Sequence, residues 1–250
     1  MSEGSFDLYS RYYDLLYEDK DYEKETSYIV RLLHEFSILN GHILEYGSGT
    51  GIHGRLLGEA GYHVLGIELS EKMVKLAEPT ETFTCQQGDI CEVKLGRQFS
   101  AVLSLFHVAS YLTDNERVNA LFSRASEHLK VGGAFIFDVW YSPAVLAQQA
   151  SVRIKRVSDD IVDITRLAEP NFFPNENRID VNYTIFVNER KTSTSQVVRE
   201  RHPMRHFSLP EIELLAEFHG FSIRRVEEFL TGQQPSTETW GVCFVLEKVS

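Results

Sequence analysis

The sequence contains few cysteines, and none stands in a pattern that builds disulfides or metal sites. Cys85, Cys91 and Cys243 form no CxxC pair, and their odd number leaves at least one thiol unpaired. Buried or free thiols are typical of a reducing compartment, so we expect a cytoplasmic protein. The nine histidines show no HExxH or comparable ligand spacing, and we therefore expect no metal.

Long apolar runs and an excess of positive charge are also lacking. No segment approaches the roughly 18 apolar residues of a membrane span, and residues 1–7 lack the basic and apolar regions of a secretion signal. The formal charge of -11 disfavours a broad binding surface for nucleic acid or anionic lipid, which requires clustered lysine and arginine. A small phosphorylated ligand, held by two or three basic residues, is compatible with this charge.

What is present is an alternation of short apolar strands with amphipathic helices. The pattern predicts strands at 42–46, 63–67, 83–86, 99–105, 134–139, 221–228 and 242–248, and helices at 22–36, 52–60 and 70–78. Capping-box spacings at 113–116 and 208–211 predict two more helices, ending near residues 130 and 219, and Gly132-Gly133 predicts a turn. The fold class is α/β, a doubly wound Rossmann-like and mainly parallel sheet with helices on both faces.

The pattern changes between Val152 and Met204. Partly alternating, β-branched runs at 156–167, 178–187 and 193–204 are separated by turn-like residues at 169–171 and 188–190. They predict an antiparallel β insertion of residues 152–205. The core then comprises residues 1–151, with an N-terminal helical lid, and 206–250. The insertion would either cap the substrate or pair two subunits in a homodimer.

A glycine loop, Glu45-Tyr-Gly-Ser-Gly-Thr-Gly51, follows the first predicted strand. Glycines permit positive φ and let backbone N–H groups approach a ligand closely. Residues 49–54 spell the GxGxxG of dinucleotide-binding proteins, but Gly47 and Ser48 separate that motif from the strand. A tight structural turn is a further alternative.

Glu45 distinguishes between the candidate ligands. A carboxylate at the strand end repels a pyrophosphate, which needs the positive end of the following helix for itself. S-adenosylmethionine (SAM) has no phosphate and carries an ammonium and a sulfonium, so a nearby acid is favourable. The loop therefore predicts a SAM site, with contacts from Glu45, Gly47, Ser48, Gly49 and Gly51.

Two further acids follow later strands at the same sheet edge. Glu68 ends the second strand, about 20 residues past the loop, where a carboxylate can accept both ribose hydroxyls. Asp89 can accept from the adenine amino group, with Leu69 and Ile90 on either side of the ring. Each acid alone also suits a solvated strand end or a turn, whereas together they favour a nucleoside.

Residues 45–51, 66–70, 87–89 and 99–105 resemble the successive motifs of class I SAM-dependent methyltransferases. The resemblance implies a seven-stranded sheet whose last strand is antiparallel. It also implies SAM as the methyl donor, S-adenosylhomocysteine as the product and a cofactor contact for Leu105.

The N-terminal Tyr13-Asp-Leu-Leu-Tyr17, residues 50–53 and 95–101 and the segment around Trp140 resemble a subgroup, the N,N-dimethyltransferases of nucleotide-linked deoxyamino sugars. In that subgroup the sugar nucleotide lies between core and insertion, and the N-terminal tyrosines close over the cofactor. The resemblance implies cofactor contacts for Tyr13 and Tyr17, with Tyr17 near the methyl-transfer site. Tyr111 stands where some relatives have histidine, a departure that weakens the case for a required base there.

N-methylation requires mainly positioning, because a neutral amine attacks the sulfonium methyl in line. The ammonium proton must first pass to water or to a neighbouring group such as Tyr17, Tyr111 or His107. O- or N-methylation of another small metabolite is an alternative, and a hydroxyl acceptor would need a firmer base. A SAM-binding protein without catalysis is a third possibility.

Candidate substrate contacts are Trp140, Arg201 and His202. Arginine suits bidentate recognition of a diphosphate, but arginines on a strand equally form solvated ion pairs. Trp140 can stack on a base or sugar, and it can also serve packing alone. His107 and His202 can contact the acceptor or fill structural roles. Other basic candidates in or beside the insertion are Arg153, Arg156, Arg199 and Arg205.

Overall fold

The structure is a computed structural model that describes residues 15–18, 20–192 and 194–250. The chain divides into two compact units. The core unit comprises residues 21–148 and 206–250, and the β unit comprises residues 149–205 with the described residues up to Lys20.

The core unit alternates strands and helices in chain order. Its strands are β1 (Gly41–Tyr46), β2 (Tyr62–Glu68), β3 (Phe83–Gln87), β4 (Phe99–Ser104), β5 (Leu129–Tyr141), β10 (Phe221–Glu228) and β11 (Gly241–Lys248). Its helices are α1 (Tyr22–Glu35), α2 (Ile52–Glu59), α3 (Glu71–Leu76), α4 (Asn115–His128), α5 (Ser142–Gln148) and α6 (Leu209–Phe218). Helix α5 was not predicted from the sequence.

The core strands lie side by side in the order β3-β2-β1-β4-β5-β11-β10. Strands β1 to β5 pair in parallel, and β11 is antiparallel to both of its neighbours, β5 and β10. The predicted doubly wound sheet with an antiparallel last strand is confirmed. The strand order reverses between β1 and β4, which is where ligands bind in sheets of this kind.

Hydrophobic cores cover both faces of the core sheet. Consecutive strand residues point to opposite faces, so Leu44 and Val102 belong to one core while their neighbours Ile43 and Leu103 belong to the other. Helices α4 and α6 contribute to the first core and α1 and α2 to the second. Continuous apolar runs are therefore required in the central strands, and this is why the sequence pattern showed them.

The β unit is an antiparallel sheet of β6 (Arg153–Ser158), β7 (Val162–Phe173), β8 (Arg178–Glu189) and β9 (Thr194–Phe207). The last two residues of β9 belong to the core unit, where they pair with the end of β5. One face of the sheet buries Val162, Ile164, Ile185 and Val187 around Leu16. The strands of the predicted insertion are antiparallel to one another, as the sequence pattern indicated.

The turns of the β unit differ from the prediction. The predicted run 156–167 is two strands, because the Asp159 side chain accepts the N–H groups of Ile161 and Val162, both at 2.7 Å, and reverses the chain. The turn predicted at 169–171 is wrong, since Pro170 lies within β7 and pairs with Val181. Strand β6 pairs only as far as Ala168, so β7 has an open edge at Pro170, where a missing N–H is tolerated. The turn predicted at 188–190 begins only after Glu189.

Three local predictions in the core unit also change. The first capping box is wrong, because the N-cap of α4 is Asp114 and not Thr113, and the Asp114 side chain accepts the Arg117 N–H at 2.8 Å. Ser208 precedes α6 but makes no side-chain cap, whereas the predicted Ser70 cap on α3 is confirmed. Strand β5 continues through the turn predicted at Gly132, whose φ of 80° coincides with a register shift against β4.

The N-terminal residues that the structure describes belong to the β unit, whereas the predicted core included residues 1–151. Leu16 is fully buried and packs with Val162 and Ile164 of β7. Its apolar side chain therefore joins this segment to the insertion. The β unit also begins at Gln149 instead of the predicted residue 152.

Candidate active site

The carboxyl ends of β1, β2, β3, β4 and β5 meet at one edge of the core sheet, because these strands are parallel neighbours. The glycine loop follows β1, Glu68 ends β2, Asp89 follows β3, and His107 follows β4. Most of the predicted core-unit site residues therefore belong to one edge, on both sides of the β1–β4 switch point.

The glycine loop turns sharply because three of its glycines have positive φ: 69° at Gly47, 55° at Gly49 and 77° at Gly51. The N–H groups of Gly47 and Ser48 donate to the Ile67 carbonyl at 2.7 and 3.2 Å, which fixes the loop to β2. A Cβ on Gly47 would lie 2.5 Å from Val108, so the backbone is tightly packed there. A Cβ on Gly49 would meet nothing within 4 Å, so this side of the loop is open.

Glu45 is buried behind the loop, with 2% of its surface exposed. His53 Nδ1 lies 4.0 Å from Glu45 Oε1, and His53 Nε2 lies 2.8 Å from Glu25 Oε2. A histidine therefore stands between two buried carboxylates behind the glycine loop. Sequence reasoning missed Glu25 and the ionic role of His53, because the two residues lie on separate helices and no local spacing connects them.

Glu68 is anchored by two backbone donors. Its Oε2 accepts the Gly49 N–H at 3.0 Å, and its Oε1 accepts the Ser70 N–H at 2.9 Å. Burial raises the pKa of the carboxyl group, and the two N–H donors oppose that shift. Each oxygen retains a lone pair, so the group can accept from two ribose hydroxyls. Leu69 beside it is 50% exposed and offers an apolar surface.

Asp89 is oriented by neighbours that the sequence did not indicate. Its Oδ1 accepts the Cys91 N–H at 2.9 Å, and Arg117 Nη2 lies 3.0 and 2.9 Å from the two carboxylate oxygens. Ile90 is 8% exposed and packs in the core below. Arg117 comes from the first turn of α4, and only the fold brings it to this edge.

The segment after β4 has an unusual backbone. Phe106 and His107 have φ of 62° and 60°, and neither is glycine. Non-glycine residues in this left-handed conformation lower the stability of a fold by about 1–3 kcal/mol each, and they cluster at functional sites. Leu105 before them is 3% exposed, and a short 3-10 helix, Val108–Tyr111, follows. Tyr111 ends that helix half-buried.

His107 is fixed from the neighbouring strand β5. Its Nδ1 lies 2.6 Å from Asp138 Oδ2, and its backbone N–H donates to the same oxygen at 3.1 Å. The ring centroid of Trp140 lies 6.3 Å from that of His107, and Trp140 also packs edge-on against Trp240 at 5.6 Å. The structure thus brings two predicted residues, His107 and Trp140, together. Sequence reasoning missed Asp138 and Trp240.

The predicted site residues of the β unit form contacts of their own. Tyr17 contacts Arg166, whose Nη1 donates to the Tyr17 hydroxyl at 3.3 Å and whose guanidinium lies 4.9 Å from the Tyr183 ring centroid. His202 is 4% exposed and its Nε2 lies 2.9 Å from Glu200 Oε2. This is the structural role that the sequence left open for His202.

Arg201 is exposed and its Nε lies 3.5 Å from Asp180 Oδ2. Because Arg201 and His202 are consecutive on β9, their side chains point to opposite faces of the sheet, and the structure does not bring them together. Arg199 is exposed on the same face as Arg201, as predicted. Tyr13 lies outside the described residues.

The described ranges contain neither a metal-binding cluster nor a membrane-spanning helix. No group of three or more His, Cys, Asp or Glu side chains within them is arranged to hold a metal ion. None of the helices in the same ranges has the length and apolar character required to cross a membrane.

Comparison with known proteins identifies the family of this chain. The methyltransferase-domain family matches residues 43–133, which include the glycine loop, Glu68 and Asp89. The chain is 30% identical over 210 residues to dTDP-3-amino-3,4,6-trideoxy-alpha-D-glucopyranose N,N-dimethyltransferase of Streptomyces venezuelae, covering 83% of this chain and 82% of the relative. It is 26% identical over 223 residues to dTDP-3-amino-3,6-dideoxy-alpha-D-glucopyranose N,N-dimethyltransferase of Streptomyces fradiae, covering 88% and 84%.

A solved structure shows the same fold. The SAM-bound amino pentose methyltransferase of calicheamicin biosynthesis from Micromonospora echinaspora aligns with a TM-score of 0.76 and 21% identity, over 92% of each chain. On these similarities, the chain belongs to the class I SAM-dependent methyltransferases.

Proposed function

We propose that this methyltransferase transfers the methyl group of SAM to the amino nitrogen of a nucleotide-linked amino sugar. The observation that carries the proposal is the similarity, over most of both chains, to a relative named for the N,N-dimethylation of a dTDP-3-amino sugar. A second relative is named for the same reaction on another dTDP-3-amino sugar. Their shared substrate class is a dTDP-linked sugar with an amine at carbon 3.

The cofactor contacts follow the chemistry of SAM. Glu68 accepts the ribose hydroxyls, and the buried charge of Glu45 favours the ammonium of the methionine part. The backbone of Gly47, Ser48, Gly49 and Gly51 surrounds that part. Asp89, Leu69, Ile90 and Leu105 are assigned to the adenosine side, and the subgroup resemblance assigns cofactor contacts to Tyr13 and Tyr17.

One bond forms and one bond breaks in the methyl transfer. The amine lone pair forms a bond to the methyl carbon, the carbon–sulfur bond breaks, and its electron pair stays on the sulfur of S-adenosylhomocysteine. The acceptor must be a neutral amine at that moment, so its ammonium proton leaves first. His107, Tyr111 and Tyr17 are the proposed neighbours that can receive it, and positioning by Trp140 contributes further.

The diphosphate of the acceptor requires local positive charge in a protein of net charge -11. Arg201 and Arg199 are exposed on one face of β9, and arginine recognises phosphate oxygens in a bidentate manner. We assign the diphosphate to this face, and His202 to the support of β9 through Glu200.

The test has two stages. Calorimetry with SAM comes first, and folded protein that does not bind SAM would contradict the cofactor assignment. Turnover is then measured by mass spectrometry with dTDP-3-amino-3,6-dideoxyglucose and with the same sugar lacking the nucleotide. We expect methylation of the amine only with the nucleotide present. Equal turnover of the free sugar, or activity only on unrelated hydroxyl compounds, would favour another small metabolite.

A further inference from the structure

Asp138 is a buried carboxylate beside the candidate acceptor site, and neither the cofactor contacts nor the family motifs account for it. Its side chain is 2% exposed, whereas that of His107 is 25% exposed. The distance from His107 Nδ1 to Asp138 Oδ2 is 2.6 Å. Because β4 and β5 are parallel neighbours, the end of β5 places this acid directly beside the turn that follows β4.

The short distance favours one tautomer of the imidazole. His107 Nδ1 lies at ion-pair distance from Asp138 Oδ2 without the alignment of a hydrogen bond, and we infer from the carboxylate's negative charge that Nδ1 carries the ring proton. In the neutral ring the lone pair is then on Nε2, the nitrogen that can act as a base. The backbone N–H of His107 donates to the same Asp138 oxygen at 3.1 Å, so ring and main chain are held together.

The contacts around His107 hold its ring at the carboxyl ends of β4 and β5. Val108, the next residue, packs so closely on Gly47 that a Cβ there would lie 2.5 Å away. The Trp140 ring flanks the imidazole on another side. Two consecutive left-handed residues, Phe106 and His107, are required to turn the chain into this position. The backbone strain is compatible with a functional placement of the ring.

We propose that Asp138 positions His107 as the group that accepts the proton of the substrate ammonium, an inference that rests on the proposed amine acceptor. His107 Nε2 takes one proton from the ammonium, and the freed nitrogen lone pair forms the bond to the methyl carbon. The carbon–sulfur electron pair remains on S-adenosylhomocysteine, and the imidazolium later releases its proton to water. The negative charge of Asp138 stabilises the imidazolium, and its burial limits the screening of that attraction by solvent.

The experiment compares the full-length wild-type protein with Asp138→Asn, His107→Gln and a control, Glu227→Gln. Glu227 is also a buried carboxylate of the core sheet, at the same level as Asp138 and separated from it by β11. It binds Tyr28 and Arg31 and makes no hydrogen bond or ion pair with His107. The first readout is the nitrogen-15 NMR spectrum of labelled histidine without substrate, with the His107 signal assigned by its loss in His107→Gln. We expect the Nδ1–H tautomer in wild type and in Glu227→Gln, and loss of that preference in Asp138→Asn.

The second readout separates kcat from KM with the amino-sugar nucleotide as acceptor. General-base catalysis contributes about 100- to 10,000-fold, so kcat should fall at least about 100-fold in His107→Gln and about 10-fold in Asp138→Asn. KM for SAM should stay within about twofold in both. Added imidazole should restore part of the activity of His107→Ala, which leaves space for it.

The outcomes distinguish this inference from the proposed function. Wild-type activity with unchanged kcat and tautomer in Asp138→Asn would overturn the inference and leave the function intact. Wild-type protein that binds SAM but methylates no amino-sugar nucleotide would overturn the proposed function and, with it, the proton transfer. The tautomer measurement would then still decide whether Asp138 orients His107.

Discussion

The backbone N–H of Gly49 donates to Glu68 Oε2 at 3.0 Å and connects the glycine loop directly to the acid at the end of β2. The second oxygen of Glu68 accepts from Ser70, at the start of α3. The carboxylate is therefore fixed by two backbone groups before any ligand arrives. Such preorganisation lowers the entropic cost of binding, because the ligand does not have to order the acceptor.

Substitution of Glu68 by alanine should weaken SAM binding strongly. The change removes the acceptor for the ribose hydroxyls and also one anchor of the loop at Gly49. Hydrogen bonds to charged groups contribute about 1.5–3 kcal/mol, so we expect Kd to rise about 10- to 100-fold. Isothermal titration calorimetry with SAM and with S-adenosylhomocysteine measures the effect.

Glu71→Gln is the matched control for this experiment. Glu71 lies three residues further on and pairs with Lys75 on the surface of α3. Its loss should leave SAM affinity unchanged. Equal affinity of wild type and Glu68→Ala would remove the ribose assignment.

The sheet and the cofactor motifs could be predicted because each depends on neighbouring residues in the sequence. Apolar runs identify strands buried on both faces, and the glycines of the loop are visible at once because backbone geometry requires them. Glu68 was identified since an acid at the end of β2 has a fixed distance along the chain from the loop. These signals are local, and the structure retains them.

The ionic partners could not be predicted because they depend on the register of distant segments. Arg117 reaches Asp89 from α4, and Asp138 reaches His107 from the neighbouring strand. The left-handed φ of His107 also lacked a signal, since no glycine or asparagine occupies that position. The turn predicted around Pro170 was wrong for a related reason. A proline is tolerated inside β7 only because that edge of the strand is unpaired there, and the sequence does not show which edge is unpaired.

Gly47 and Gly49 should respond differently to alanine. Both have positive φ, and a left-handed residue with a Cβ costs about 1–2 kcal/mol. Alanine at Gly47 also collides with Val108, which adds about 1–3 kcal/mol of overpacking. We expect Gly47→Ala to lower the free energy of unfolding by about 2–5 kcal/mol and Gly49→Ala by about 1–2 kcal/mol. Urea denaturation measures both values.

SAM affinity provides a second test for Gly49→Ala, the variant expected to lose less stability. The Cβ of Gly49→Ala would occupy the open side of the loop, so this variant should bind SAM at least about tenfold more weakly while still folded. A Gly49→Ala protein with wild-type affinity would show that the ligand does not approach the loop at this residue.

Stability should fall in mild acid because of His128. This ring is 1% exposed, its Nδ1 lies 2.7 Å from the Tyr46 hydroxyl, and its Nε2 accepts the Leu95 N–H at 3.3 Å. Burial lowers its pKa in the folded protein. The unfolded chain therefore binds the proton first, and stability is lost as pH falls below about 6.5. The slope is at most about 1.4 kcal/mol per pH unit for one proton.

Urea unfolding measures this loss of stability when it is repeated from pH 8 downwards, in steps of roughly half a unit, until the free energy of unfolding stops falling. His219 also has a pKa lowered by burial, so wild type contains two contributions of the same sign. His128→Gln should be less stable at neutral pH, yet its stability should depend less on pH than that of wild type. A variant curve parallel to the wild-type curve would assign the acid sensitivity elsewhere.

The assignment of the adenine amino group to Asp89 can be tested by changing the ligand and the protein in turn. Wild type should prefer S-adenosylhomocysteine over its hypoxanthine analogue, because the analogue lacks the amino group and losing a hydrogen bond to this carboxylate costs about 1–3 kcal/mol. Asp89→Ala removes the acceptor, so the preference of about 5- to 100-fold should disappear.

The same variant also frees Arg117, which in the wild-type protein contacts both Asp89 oxygens. Arg117→Gln is therefore the control, and it should retain the preference because Cys91 still orients Asp89. Equal discrimination by wild type and Asp89→Ala would place the adenine amino group away from this carboxylate.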